Sequence, residues 1–232
     1  MDAIILAGGR GTRLKSVIPD LPKSLAPING TPFLDILLSR LNLCPRIQRV
    51  ILAVGYRGDM IVNRYREDRS YNFVLRFSKE TRLLGTGGAV KKALSQAETD
   101  IVIVQNGDTL VEIDYEDLIE AHLRSNAPLT IALIKVSDTA RYGAVEVDLD
   151  RKILAFREKV DSGGPGFINA GLYIFQRNIF CDVPDHKTLS LEKDLIPNMI
   201  KPSAYGYIAR GRFIDIGIPE TYQYAEQYLK EV

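Results

Sequence analysis

The sequence predicts a three-layer α/β fold of the Rossmann-like kind, with helices on both faces of a mixed, mainly parallel central sheet. Three observations carry that prediction. Short apolar runs at 3–7, 50–54 and 101–104 have the unbroken hydrophobicity of strands buried on both faces. Segments with apolar residues three and four apart separate those runs, which is the alternation of βαβ units. A glycine-rich turn, Gly8, Gly9, Arg10, Gly11, Thr12 and Arg13, follows directly on the first run, as suits a strand that feeds a phosphate-binding loop.

After that turn, Pro32 and Phe33 open a helical pattern with Leu34, Leu37, Leu38 and Leu41 on one face. Residues 50–54 form a strand, 59–65 a short helix and 73–77 another strand. Gly85, Thr86, Gly87 and Gly88 interrupt the chain before a helix over 89–97. Strand 101–104 ends abruptly at Asn106, Gly107 and Asp108. Asp114 starts a helix that runs through about Ser125, with Asp117 in its first turn. Residues 130–136 are a further apolar strand. Beyond it, strands at 143–147, 153–157 and 167–175 alternate with short polar turns, which predicts a more antiparallel half lying beside the same sheet. Ser190 caps a helix carrying Leu191, Leu195, Ile196 and Met199, and residues 205–209 form a strand. Pro219 takes the favoured first turn of a closing helix that buries Tyr222, Ala225, Tyr228 and Leu229. No linker or repeat divides the chain, so residues 1–232 read as one domain with halves at 1–136 and 137–232.

Composition narrows the class. With 46% hydrophobic and 25% charged residues the chain matches an ordinary globular protein, and no apolar stretch approaches the roughly 20 residues of a membrane span. Met1 and Asp2 lead straight into a strand, without the basic region of a secretory leader. A net charge of +1 offers no global attraction for nucleic acid, so any bound anion is held by local groups. Cys44 and Cys181 make neither a disulfide framework nor a metal set; both read as buried, in a reducing cytoplasm. His122 and His186 are too few for histidine-based chemistry, and His122 reads as a surface residue.

The glycine turn fails two common patterns. A Walker loop needs a glycine just before its lysine, where Leu14 precedes Lys15 and Ser16. A dinucleotide fingerprint would also place its third glycine at Leu14, and no ribose-binding carboxylate follows Val54 and Gly55. A plain solvated turn has no need of three glycines, Thr12, Arg13 and a Pro22, Lys23 pair together.

The stretch from Leu6 to Leu14, followed by Pro22, Lys23, Ser24 and Leu25, resembles the signature of the sugar-1-phosphate nucleotidyltransferases. The resemblance runs the full length of the chain and implies the nucleotide-diphospho-sugar transferase type of fold, with the first half binding nucleotide and the second binding sugar phosphate. It implies that Leu6, Ala7, Gly8, Gly9, Gly11, Thr12, Arg13 and Lys23 wrap a nucleoside triphosphate. Arg13 would stabilise the departing pyrophosphate, and Lys23 would bridge the α-phosphate and the incoming sugar phosphate. The usual second proline is Ser24 here. The stretch from Leu84 to Ala89 resembles the family's base-recognition loop, so Gly85 and Thr86 would contact the base, with Asn106 also on the nucleotide.

Asp108 ends a buried strand and Asp215 lies in an equally apolar stretch, where carboxylates are costly unless paired or metal-bound. Together they would hold Mg2+ on the triphosphate, and Asp108 would count with Arg13 and Lys23 as catalytic. Otherwise Asp108 caps a turn and Asp215 pairs with Arg210 or Arg212. Glu80 would accept hydrogen bonds from N1 and N2 of guanine, or else is a surface glutamate beside Lys79 and Arg82. For the second substrate the resemblance implies Glu158 on sugar hydroxyls and Lys159 on the sugar phosphate, with Tyr142, Gly143 and Asn169 nearby. Taken singly, these residues also read as a solvated ion pair or turn residues.

The stretches 142–145, 190–194 and 213–220 look closest to members that guanylylate a heptose 1-phosphate. The expectation is therefore transfer of GMP from GTP to that sugar for bacterial surface polysaccharide, or of another nucleotide from UTP, dTTP or CTP to a different hexose 1-phosphate. Self-association into a homodimer stays open. A metal-dependent glycosyltransferase shares the Asn106, Gly107, Asp108 motif but has no need of the amino-terminal pyrophosphate cradle. A silent nucleotide-sugar sensor has no need to keep Arg13, Lys23, Asp108 and Asp215 together.

Overall fold

The computed structural model describes residues 1–142, 144–157, 163–201 and 203–229, with Arg157 described by its backbone alone. The chain runs through β1 (Asp2–Ala7), β2 (Pro27–Ile28), β3 (Thr31–Pro32), α1 (Phe33–Asn42), β4 (Arg49–Val54), α2 (Gly58–Tyr65), β5 (Val74–Lys79), α3 (Gly85–Ala93), β6 (Ile101–Asn106), β7 (Thr109–Val111) and α4 (Tyr115–Ser125). The second half adds β8 (Leu129–Val136), β9 (Ala144–Val147), β10 (Ile153–Arg157), β11 (Gly166–Gln176), α5 (Ile196–Met199), β12 (Tyr205–Ala209), β13 (Phe213–Asp215) and α6 (Pro219–Tyr228).

Among the described residues, nine strands share one sheet in the order β10, β9, β11, β6, β1, β4, β5, with β8 on β11 and β12 on β8. Strands β6, β1, β4 and β5 are parallel, as their βαβ connections require. Strand β11 is antiparallel to β6, β8 and β9. Its 11 residues let one end pair with β6 while the other reaches β9. The antiparallel half is thus stitched into the sheet and does not lie beside it.

Alternation along the strands divides the core into two layers. Ala3, Ile5 and Ala7 face the cluster formed by α1, α2, α4 and α6, whereas Ile4 faces the cluster that contains Ala89 and Val90 of α3. Helices therefore cover both faces, which is the three-layer arrangement the unbroken apolar strands predict.

Several local expectations change. The run Gly85 to Gly88 does not interrupt the chain; it is the first turn of α3. Gly85 has φ of 69°, and a Cβ there would fall inside the carbonyl of Leu189. That carbonyl instead accepts the N–H groups of Gly87 at 2.8 Å and Gly88 at 3.4 Å, which satisfies donors a helix start leaves open. The helix capped by Ser190 begins as a π-helix, Leu191–Leu195, before α5. The turn after β6 leads into β7, which pairs antiparallel with β13. His122 is buried, not exposed: its Nδ1 lies 2.8 Å from Oγ1 of Thr130, and burial pushes its pKa down to about 4. Cys44 is buried, but Cys181 is exposed.

Candidate active site

The site forms at the carboxyl ends of β1 and β6, where an open α/β sheet receives ligands. From β1 the chain enters the glycine turn and then a short 3-10 helix, Thr12–Leu14, anchored by the buried Leu14. Gly11 precedes it at φ of 56°, and a Cβ there would stand 3.1 Å from Cβ of Lys23. The glycine thus lets the loop close against the stem of Lys23, which opens the next 3-10 helix, Lys23–Leu25.

The ammonium of Lys23 reaches Oδ2 of Asp108 at 2.5 Å. Asp108 lies in the turn between β6 and β7, and the pairing of β7 with β13 sets Thr109 opposite Asp215. The carboxylate of Asp215 accepts the Gly217 N–H at 2.6 Å, and Arg141 approaches its other oxygen at 3.9 Å. Arg212 does not pair with Asp215; its guanidinium is held by Glu112 at 2.7 Å and 2.8 Å. Burial raises the pKa of Asp215, and the nearby charge of Asp108 raises it further, against the opposing pull of Lys23. Two carboxylates whose charges act on each other, both of hard oxygen, suit a divalent cation whose remaining ligands would be phosphate and water. Among the described residues no group of three or more His, Cys, Asp or Glu side chains forms a metal cage.

Two cavities meet at Asn106 and Asp108. The smaller, about 220 Å³, is lined by Leu6, Gly8, Gly9, Glu80, Gly85 and Thr86. The larger, about 340 Å³, is lined by Arg13, Lys23, Tyr142, Asn169 and Asp215. Ala7 borders a small space of about 40 Å³ between them, next to Ser24. Gly11 and Thr12 line neither main cavity. Gly143, Glu158 and Lys159 lie outside the described residues.

Glu80 is half-buried and not a free surface glutamate. One of its carboxylate oxygens accepts the Leu84 N–H at 3.0 Å, the other faces Gly8, and burial raises its pKa. Lys79 turns instead to Asp59, and Arg82 to the carbonyl of His186.

The larger cavity also takes Gly171 and Phe156, and the smaller takes Ala89, all from stretches the sequence pointed to, whereas Thr109, Glu192, Lys193 and Pro197 of the larger cavity were not singled out as site residues from sequence. Glu192 and Lys193 read locally as the polar first turn of a capped helix. The signal that another backbone packs on α3 was the glycine run itself, since a Gly, Thr, Gly, Gly helix start leaves room for a close neighbour. The hydroxyl of Thr86 turns to that neighbour: it donates to Glu192 at 2.9 Å and accepts the Leu191 N–H at 2.7 Å.

Comparison with known proteins places the chain among its relatives. Residues 2–231 match the family model described as Nucleotidyl transferase. The chain is 40% identical over 232 residues, 99% of each protein, to a D-glycero-alpha-D-manno-heptose 1-phosphate guanylyltransferase of Aneurinibacillus thermoaerophilus. It is 39% identical over 222 residues to a protein of the same name from Campylobacter jejuni, covering 96% of this chain and 97% of that one. A crystal structure of HddC from Yersinia pseudotuberculosis complexed with GMP-PN superposes with a TM-score of 0.85 at 40% identity, covering 98% and 99% of the two chains.

Proposed function

The chain belongs to the nucleotidyl transferase family and has its α/β fold, and we propose that it transfers GMP from GTP to D-glycero-α-D-manno-heptose 1-phosphate. Identity near 40% along the whole of two proteins so named supports these substrates. The reaction itself rests on one observation: two cavities meet at Asn106 and Asp108 beside the ammonium of Lys23.

Guanine enters the smaller cavity, where the inward carboxylate of Glu80 accepts its N1 and N2 hydrogens. The α-phosphate lies at the junction, and the heptose fills the larger cavity against Tyr142 and Asn169. An oxygen of the sugar phosphate attacks the α-phosphorus in line; the bond from that phosphorus to the β-phosphate bridging oxygen breaks, and pyrophosphate leaves with the electron pair. No covalent enzyme intermediate is needed, so the protein's work is positioning and charge. Lys23 draws the two reacting phosphates together, and Arg13 neutralises the departing pyrophosphate. Asp108 and Asp215 hold a divalent ion, Mg2+ in this reading, which when bound adds positive charge to the triphosphate. Glu158 and Lys159 complete the sugar side.

The product is an activated heptose made in the cytoplasm for surface polysaccharide. No described helix is long and apolar enough to cross a membrane. Pyrophosphate release measured across four nucleoside triphosphates and several sugar 1-phosphates, with Mg2+, tests the assignment. The expected result is release with GTP and the heptose phosphate above all other pairs. Release from no pair overturns it.

A further inference from the structure

A line of hydrogen bonds runs behind the wall between the two cavities, centred on Glu192, to which the reaction above gives no task. Oε2 of Glu192 accepts the hydroxyls of Thr86 at 2.9 Å and Ser190 at 3.2 Å, and Oε1 accepts the Tyr173 hydroxyl at 3.3 Å. Thr86 in turn accepts the Leu191 N–H at 2.7 Å. Tyr173, fully buried, accepts Nδ2 of Asn169 at 2.6 Å, and Oδ1 of Asn169 accepts the Gly171 N–H at 2.9 Å. Thr86 lines the smaller cavity, while Asn169 and Glu192 line the larger.

Each hydroxyl has one hydrogen to give, and a carboxylate can only accept. Glu192 therefore fixes the sense of the whole line. With the Tyr173 hydrogen directed to Glu192, the phenol oxygen is left as an acceptor, and Asn169 must point its amide nitrogen at it. The Gly171 N–H holds the other end of that amide. Asn169 is thereby left with one N–H hydrogen free of the line. Without the carboxylate, the Tyr173 hydroxyl is free to turn and the sense of the Asn169 amide is no longer enforced. At the opposite end, Thr86 is held on α3 beside the nucleotide.

We propose that Glu192 is a positioning residue that ties Thr86 on the nucleotide side to Asn169 on the sugar side, so that sugar-phosphate affinity depends on the state of the nucleotide cavity. The inference rests on the substrate reading above and adds a link between its two sites.

The test is a double-mutant cycle in the full-length protein, read on the KM for heptose 1-phosphate. Thr86→Val removes the hydroxyl on the nucleotide side, and Tyr173→Phe removes only the hydroxyl between Glu192 and Asn169. Alone, Thr86→Val should raise the sugar-phosphate KM by about 5-fold or more, the lower end of ordinary site-to-site coupling. In the Tyr173→Phe background the same change should alter it by less than about 2-fold, because the line is already cut. Glu192→Gln should raise that KM by about 10-fold with a smaller change in kcat. If Thr86→Val does not fold, Thr86→Ala takes its place in the same cycle. Equal factors in both backgrounds, in an active enzyme, overturn the link and leave the substrates standing. Wild-type turnover with some other nucleotide and sugar pair overturns the substrates instead, and the cycle is then read with that pair.

Discussion

The ammonium of Lys23 stands 2.5 Å from Oδ2 of Asp108, although 85 positions separate the two residues. That pair joins the loop after β1 to the turn after β6, the two places from which the proposed reaction draws its groups for phosphate and divalent ion. The side chain of Lys23 is only 13% exposed, so its charge acts in surroundings partly shielded from water.

Replacing Lys23 by Ala should lower kcat by at least about 100-fold, as the loss of a preorganised transition-state cation does. The KM for GTP should move less, because Arg13 and the glycine loop remain. Steady-state pyrophosphate release reads both, and an unchanged kcat would remove Lys23 from the chemistry.

Asp215→Asn should abolish turnover and yet raise thermal stability when no divalent ion is present. Burial and Asp108 raise the pKa of Asp215 above its usual 3.8, so the ionised form costs the folded state stability. That cost is absent below about pH 3.8 and grows as pH rises through the folded pKa, so the variant's advantage should be full at neutral pH and shrink on acidification. Each kcal/mol relieved should raise the melting midpoint by about 2–4 °C in a chain of this size. Melting curves in a chelator at several pH values give the comparison, and a variant less stable than wild type at pH 7 contradicts it.

For Glu80, the discriminating probe is inosine triphosphate, which lacks the guanine N2 amino group. Glu80→Gln should raise the KM for GTP by about 10-fold, the scale of a lost hydrogen bond to a charged group, and leave inosine triphosphate less affected. A preference between the two nucleotides that survives the change would place guanine selection elsewhere.

Gly85→Ala should cost about 2–4 kcal/mol of stability, since it combines a left-handed backbone with a methyl group set against the Leu189 carbonyl. Urea unfolding at constant slope should show it, together with a weaker hold on nucleotide as the 189–192 segment shifts. A midpoint within about 0.5 kcal/mol of wild type would mean that this contact is soft.

His122 should make the protein acid-sensitive. Its pKa falls from an ordinary 6.5 to about 4, so below pH 6.5 the unfolded chain binds the proton first and stability drops as pH falls toward 4. The full loss is on the order of 3 kcal/mol. His122→Gln, which can keep a bond to Thr130, should flatten that part of the stability profile; an unchanged slope between pH 6.5 and 4 would assign the acid sensitivity to carboxylates.

Most of the site was legible where its chemistry is contiguous. Gly8, Gly9, Arg13 and Lys23 announce an anion site because the turn residues and cations stand close together along the chain. Asp108 and Asp215 stand out because each carboxylate interrupts an apolar run. Glu192 and Thr109 were not legible, because each looks locally like part of something ordinary, a polar first helical turn and a residue after a strand. Their place in the site depends on pairing partners far along the chain, α3 for Glu192 and β13 for Thr109.

The order of strands and helices, the two-sided burial of β1, β4 and β6, and the gathering of glycines and cations in the first loop all follow from residue patterns that act over a few positions. Folding in three dimensions settled which groups share a cavity, whether Arg212 or Arg141 faces Asp215, that Glu80 turns inward, and that Thr86 donates to a carboxylate instead of standing free. Periodicity and composition report which face of an element is buried. Hydrogen-bond partners and the raised or lowered pKa values of Asp215, Glu80 and His122 depend on what another part of the chain brings within about 3 Å, and on the water it displaces.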